Sequence, residues 1–165
     1  QHRPASQTSL STVTRHVPMS ASQHEINNPQ HLHESLKKQA EQAASRAYAP
    51  YSGFPVGAAV LDDQGRIFAG ANVENASLGL TICAERVAVA AAVTAGARRL
   101  RAVAIYTPTA QLTPPCGACR QVLAEFGANM EIHLFDRAGH HRRYVLGELL
   151  PKTFDFDPPN NPPRD

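Results

Sequence analysis

The stretch Ile82-Cys83-Ala84-Glu85-Arg86-Val87-Ala88-Val89-Ala90-Ala91-Ala92-Val93-Thr94-Ala95-Gly96 decides the fold. Alanine and valine fill nearly every position after Arg86, so a helix here has no polar side and is expected to be buried all round, with Gly96 as its stop. The apolar run is far too short to span a bilayer, so its burial must come from other elements of the chain. Those elements alternate in character on either side of it. Upstream, Val56 to Leu61 reads as a strand, Asp62-Asp63-Gln64-Gly65 as a hairpin turn and Arg66 to Asn72 as a second strand. Further upstream Leu32, Leu36, Ala40, Ala43, Ala44 and Ala47 fall at helical spacing ahead of Pro50. Downstream, Ala102 to Tyr106 reads as a third strand and Gly117 to Phe126 as a helix stopped by Gly127. Glu131 to Phe135 and Arg142 to Val145 read as two further strands about the Asp136-Arg137-Ala138-Gly139 turn, before a short helix over Gly147 to Leu150. The expected fold is therefore α/β: a three-layer α/β/α arrangement around one mixed five-stranded sheet.

At 165 residues the chain fits one domain with appended tails, and its 42% apolar share is enough for a real core. Residues 1–30 are polar and lack an apolar period, which reads as a disordered N-terminal extension. The folded domain is expected over 31–156, followed by a proline-rich tail at 157–165. The net charge of +2 comes with no long run of lysine or arginine, so no footprint for nucleic acid is present. Arg98, Arg99 and Arg101 read as a solvated helix end. His2, His16, His24, His31 and His33 lie in or near the extension, where no specific metal site is expected. Nothing resembles a signal peptide or a membrane span. Reduced thiols then point to the cytoplasm, although Gln1 is not a natural start and leaves room for a removed leader.

The chemistry sits in two short motifs, Cys83-Ala84-Glu85 and Pro115-Cys116-Gly117-Ala118-Cys119-Arg120, which use all three cysteines of the chain. An odd count argues against a disulfide scaffold. Three thiolates can hold a zinc ion and leave the fourth position for water, as a catalytic site requires; a closed structural site wants four ligands. Cys83 falls at the entry of the buried helix, and Cys116 and Cys119 at the entry of the next. Helix N-termini favour the thiolate form. Glu85, two residues past the first thiol, is a proton carrier beside that water. Three thiolates overcompensate a divalent ion, so Arg86 and Arg120 are expected to donate to the sulfurs and withdraw charge. Other readings stand beside this one: a redox dithiol at Cys116/Cys119, or a structural zinc completed by His133.

With these motifs on the page, the chain resembles the cytidine deaminases, specifically the small three-cysteine type. The resemblance takes in Ala49-Pro50-Tyr51-Ser52-Gly53-Phe54-Pro55-Val56-Gly57-Ala58-Ala59, Gly70-Ala71-Asn72-Val73-Glu74-Asn75-Ala76-Ser77, both cysteine motifs and Glu148-Leu149-Leu150-Pro151 with Phe154. It implies that 31–156 is a catalytic domain with one zinc per chain, converting cytidine and 2′-deoxycytidine to uridine and 2′-deoxyuridine with release of ammonia, as in pyrimidine salvage. By the same resemblance Cys83, Cys116 and Cys119 are the zinc ligands and Glu85 the proton shuttle. Asn72 and Glu74 match the grip on the ribose 3′-hydroxyl, Phe54 lines the pyrimidine pocket, and the backbone of Cys83 and Ala84 serves the edge of the base. The active form would be a homotetramer, with Tyr51 and Phe154 as candidate cross-subunit pocket residues. Its partner is a small nucleoside, with neither nucleic acid nor membrane. The chain departs from the pattern at Leu78, where many relatives carry tyrosine, and at Ala71, where cysteine is common.

Overall fold

A computed structural model describes residues 29–156. The expected tail at 157–165 lies outside them, as does the extension apart from residues 29 and 30, which already begin a helix. Ten elements follow in order: α1 (Pro29–Ala44), β1 (Gly57–Asp62), β2 (Ile67–Ala71), a 3-10 turn (Leu78–Leu80), α2 (Ala84–Thr94), β3 (Leu100–Thr107), α3 (Gly117–Ala124), β4 (Glu131–Asp136), β5 (His141–Val145) and α4 (Leu146–Leu149). The strands form one five-stranded sheet in the order β2-β1-β3-β4-β5. Only β3 and β4 run parallel; the other neighbours are antiparallel. The hairpin between β1 and β2 is set by the buried Asp62, whose Oδ1 accepts from Gln64 N at 3.0 Å and Arg66 N at 2.7 Å. Gly65 supplies the left-handed residue of that turn at φ +81°.

Strand alternation sorts the core into two faces. Ala58, Val60, Val103, Ile105, Ile132 and Leu134 point to one side and pack with Ala84, Ala88, Val89 and Ala92 of α2 and Leu123 of α3. Ala59, Leu61, Ala102, Ala104, Tyr106 and Phe135 point to the other and pack with Leu36, Ala40 and Ala44 of α1. This is the expected three-layer arrangement. Two glycines set how closely helices approach the sheet. A Cβ on Gly57 would lie 1.9 Å from Ala40 O, and one on Gly70 would lie 2.4 Å from Ala88 N and 2.8 Å from Ala84 O. Backbone thus rests on backbone, and the first turn of α2 is seated on β2.

Two expectations are corrected. The helix read from Ile82 to Ala95 spans Ala84–Thr94 and is buried on one side only; Ala90 and Ala91 are exposed. The sheet covers one face, and among the described residues nothing covers Ala90 and Ala91 on the other. The first helix ends at Ala44 rather than running on to Ala47. Its end tightens into i→i+3 bonds, Arg46 N to Ala43 O and Ala47 N to Ala44 O. That turn releases Tyr48 to bridge Val73, which also bridges Ile82.

Candidate metal centre

Cys83 and Cys116 are the N-cap residues of α2 and α3, both in extended backbone conformation, and Cys119 lies within the first turn of α3. The two helix starts converge, bringing the three Sγ atoms within 4.8 Å of one another. Cys83 Sγ and Cys116 Sγ are 4.0 Å apart. A tetrahedral ion with Zn–S bonds of about 2.3 Å spaces its sulfurs at about 3.8 Å, so the donors already stand close to their coordinating positions. Among the described residues this cluster comprises the three cysteines alone, which leaves a fourth position. Cys119 is buried, Cys83 half-buried and Cys116 exposed, so the centre opens to solvent from one side.

The electrostatics of the thiols call for a cation. Burial, with the charges of Glu85 and Cys83, pushes the Cys119 thiol far up. Burial also raises Cys83, against hydrogen bonds from Arg86 and Cys119. At Cys116 burial is outweighed by hydrogen bonds from the Cys119 backbone and the two other thiols, and the group falls below its ordinary value. Three sulfurs and a carboxyl crowd one spot, and a bound dication supplies the positive charge that lets all three ionise. Glu85, in the first turn of α2, is only 5% exposed. Burial pushes its carboxyl up, opposed by its own backbone N–H and the Cys119 thiol.

Arg86 and Arg120 part company. Arg86 Nη2 donates to Thr81 O at 3.0 Å and lies 3.8 Å from Cys83 Sγ, while its buried Nε has no partner among the described residues. An unpaired donor beside thiols fits a site built for negative sulfur. Arg120 does not face the sulfurs: Nε donates to Pro115 O and Nη1 to Leu149 O, each at 2.8 Å. One helical step turns the Arg120 side chain about 100° away from that of Cys119, toward the loop before α3 and the end of α4. His133 is not near the centre either. It lies on β4 with Glu131 and Phe135, on the α1 face of the sheet, while the cysteine helices cover the opposite one.

The remaining candidates form a loop beside the centre. Val73 exchanges backbone hydrogen bonds with Ile82, 2.9 Å each way, and so sets Asn72 and Glu74 next to the start of α2. Buried Asn72 spends both ends of its amide on backbone: Oδ1 accepts from Val56 N at 2.8 Å and Nδ2 donates to Phe54 O at 2.9 Å. Glu74 Oε2 accepts from Tyr51 N at 2.8 Å and Ser52 N at 3.2 Å, and Oε1 accepts from the Ser52 hydroxyl. That hydroxyl bond comes first and, with the two backbone ones, holds the Glu74 carboxyl below the usual range against the opposing effect of burial. Ser52, whose Oγ also accepts from Phe54 N at 3.0 Å, was not singled out in the sequence, although its place in the Pro50-Tyr51-Ser52-Gly53 turn marks it as a side chain that bonds local backbone. Phe54 is half-buried and Ala84 fully buried. Tyr51, Leu78 and Phe154 are exposed, at 55%, 72% and 75%. Gln121, also missed, pins the Phe154 backbone: Nε2 donates to Phe154 O at 2.8 Å, and Oε1 accepts from Phe154 N at 3.1 Å.

Comparison with known proteins agrees with this geometry. Residues 30–134 match the family model described as the cytidine and deoxycytidylate deaminase zinc-binding region. A cytidine deaminase of Halalkalibacterium halodurans is 46% identical over 127 residues, covering 76% of this chain and 96% of that protein. One from Mycobacterium tuberculosis is 49% identical over 122 residues, covering 74% and 89%. Among solved structures, the cytidine deaminase of Burkholderia pseudomallei superposes with a TM-score of 0.71 at 46% identity, over 74% of this chain and 98% of the other. The converging thiols, the buried carboxyl beside them and these matches lead to one conclusion: the chain belongs to the cytidine deaminase family.

Proposed function

We propose that this protein hydrolyses cytidine and 2′-deoxycytidine to the corresponding uridines and ammonia, as a step of pyrimidine salvage. The observation that carries this reading is the cluster of Cys83, Cys116 and Cys119 with the buried Glu85 on the same helix start. When held by the three thiolates, zinc supplies the acidity that makes water a nucleophile near neutral pH. Glu85 takes a proton from water and passes it to ring N3. It then delivers the second proton to the departing 4-amino group. Water's oxygen becomes the C4 carbonyl oxygen and ammonia leaves. Burial raises this carboxyl above its ordinary value, which eases the return of the proton it has taken and suits one group serving twice. Arg86 draws charge from Cys83, and the N–H groups opening α2 at Cys83 and Ala84 serve the base edge.

Asn72 and Glu74 bind the sugar. The Asn72 amide keeps one free N–H, and Glu74, held ionised by Ser52, accepts from the 3′-hydroxyl. A 3′-phosphodiester would meet that negative carboxylate, so free nucleosides are the substrate rather than nucleic acid. Phe54 stacks against the base. The exposed apolar side chains Tyr48, Tyr51, Val73, Leu78, Leu80 and Ile82 cluster by sequence and bridging around this opening, as an interface between subunits would require. The working form is a homotetramer in which Tyr51 and Phe154 close the pocket of a neighbour. Among the described residues no helix is long and apolar enough to cross a membrane. Three unpaired thiols suit the reducing cytoplasm.

The test follows zinc content, molar mass by light scattering and loss of cytidine for wild type and Glu85→Gln. Expected are one thiolate-bound zinc per chain in both, a tetramer, and a loss of at least ~10²–10⁴-fold in turnover for the variant. Undiminished ammonia release by Glu85→Gln overturns the mechanism. The sugar assignment fails separately, if 3′-deoxycytidine is turned over as well as cytidine.

A further inference from the structure

The face of the sheet opposite the thiols carries a second group of metal-binding side chains, which the deaminase chemistry does not use. His33 projects from α1, Glu131 and His133 from β4, and His141 and Arg143 from β5. Register brings them together: His133 pairs with Arg143, and Glu131 and His133 share a face by strand alternation. Glu131 Oε2 lies 3.1 Å from His133 Nε2 and 4.0 Å from His33 Nε2, and the three donor atoms all fall within 4.8 Å of one another. We propose that His33, Glu131 and His133 form a second cation site, taking a divalent first-row transition ion of the zinc class and clamping α1 to the sheet.

Four features support an ion here beyond the hydrogen bond of Glu131 with His133. First, bonds of about 2.0–2.2 Å to nitrogen and oxygen put tetrahedral ligands about 3.4 Å apart, and the donor separations bracket that value. Second, two imidazoles and one carboxylate favour zinc, nickel or copper over magnesium or calcium, and this donor set occurs in open zinc sites. Third, the supporting contacts are already in place. His133 Nδ1 lies 3.1 Å from His141 Nε2, which fixes the ring and leaves Nε2 for the ion. Arg143 Nη1 donates to Oε1 of Glu131, so Oε2 is the oxygen turned toward His133 Nε2 and His33 Nε2. Fourth, His133 is 1% exposed while the side chains of His33 and Glu131 are 35% and 38% exposed, so the site is anchored at depth and open at the rim. Burial, with His33 and His141 facing it, holds the His133 imidazole below its ordinary value despite Glu131, and the neutral ring is the form that binds metal. The positive charges nearby, Arg143 and Lys37, act from the rim: Lys37 Nζ lies over the Phe135 ring at 5.8 Å.

This ion has no part in deamination; its effect is on the attachment of α1. The experiment uses full-length protein that retains its thiolate zinc, titrated with Co²⁺ and read by absorbance, calorimetry and thermal melting. One further equivalent per chain is expected, with visible d–d bands and no sulfur-to-metal charge transfer, and with a rise in melting temperature. His33→Gln, which leaves cytidine turnover unchanged, and Glu131→Gln should each weaken this binding at least tenfold and abolish the thermal shift. No second equivalent, or uptake that carries sulfur charge transfer, overturns the proposal. So does a Glu131→Gln protein that binds cobalt like wild type, because histidines elsewhere in the chain would then hold the ion.

Discussion

Arg86 and Arg120 each directly follow a residue of the thiol motifs, yet the fold gives them different work. Arg86 stays beside Cys83 because the chain before α2 turns back through Thr81, whose carbonyl accepts from Nη2 and holds that nitrogen 3.8 Å from Cys83 Sγ. Arg120 is taken up by two backbone carbonyls, at Pro115 and Leu149, and so ties the thiol loop to α4. The two roles separate on mutation. Arg86→Gln should speed zinc loss to a competing chelator by about 10–100-fold, the usual penalty for removing a group that tunes a ligand. Arg120→Gln should leave zinc release nearly unchanged and lower unfolding free energy by about 1–3 kcal/mol through its lost hydrogen bonds. Chelator-coupled release and denaturant melts on the same two proteins decide it. Equal zinc loss in both variants would return Arg120 to the sulfurs.

At the scale of elements, the site depends on how closely α2 lies on β2. Gly70→Ala would place a Cβ 2.4 Å from Ala88 N, a contact no rotamer can relieve because both partners are backbone. The expected outcome is a loss of about 1–3 kcal/mol from overpacking, with zinc affinity and turnover both reduced as Cys83 and Glu85 shift together. A Gly70→Ala protein as stable and active as wild type would mean that α2 is not seated through this glycine. The elements themselves were legible because period, turn chemistry and glycine stops agree along the chain: Asp62 to Gly65, Gly96 and Asp136 to Gly139 all punctuate where expected. The cysteine cluster was legible because three thiols and helix starts leave few arrangements. What could not be read is what crosses between elements. Arg120 is directed by a carbonyl 29 residues away, the exposure of Ala90 and Ala91 depends on what the sheet fails to cover, and whether the strand of His133 reaches the thiols depends on which face of the sheet carries them. His33 read as one of the histidines in or near the polar extension because its partners are 98 and 100 residues further on, brought to it only by the packing of α1 on the sheet.

The whole molecule divides its chemistry between the two sides of one sheet, thiols on the α2 and α3 side and histidines on the α1 side, so the two sides should respond separately to acid. His133 is surrounded by His33 and Lys37 from α1, Glu131 from its own strand, and His141 and Arg143 from β5. Burial comes first in pulling it below its ordinary value, with His33 and His141 adding to the effect and Glu131 opposing it. His141 is displaced the same way, by burial and then by His33 and Lys37. An imidazole whose folded value is depressed takes up its proton more readily in the unfolded chain, which ordinarily titrates near ~6.5. Its contribution to stability is therefore complete above that pH and is lost as pH falls through the lower folded value. Each such group steepens the loss by at most about 1.4 kcal/mol per pH unit. Without added metal, the melting temperature should fall between pH 7.5 and 5.5, and the fall should be shallower in His133→Asn whatever that variant's starting stability. Protonation of the thiolate centre contributes equally to both proteins, so the difference in slope isolates His133. Parallel slopes would mean that His133 carries no acid sensitivity.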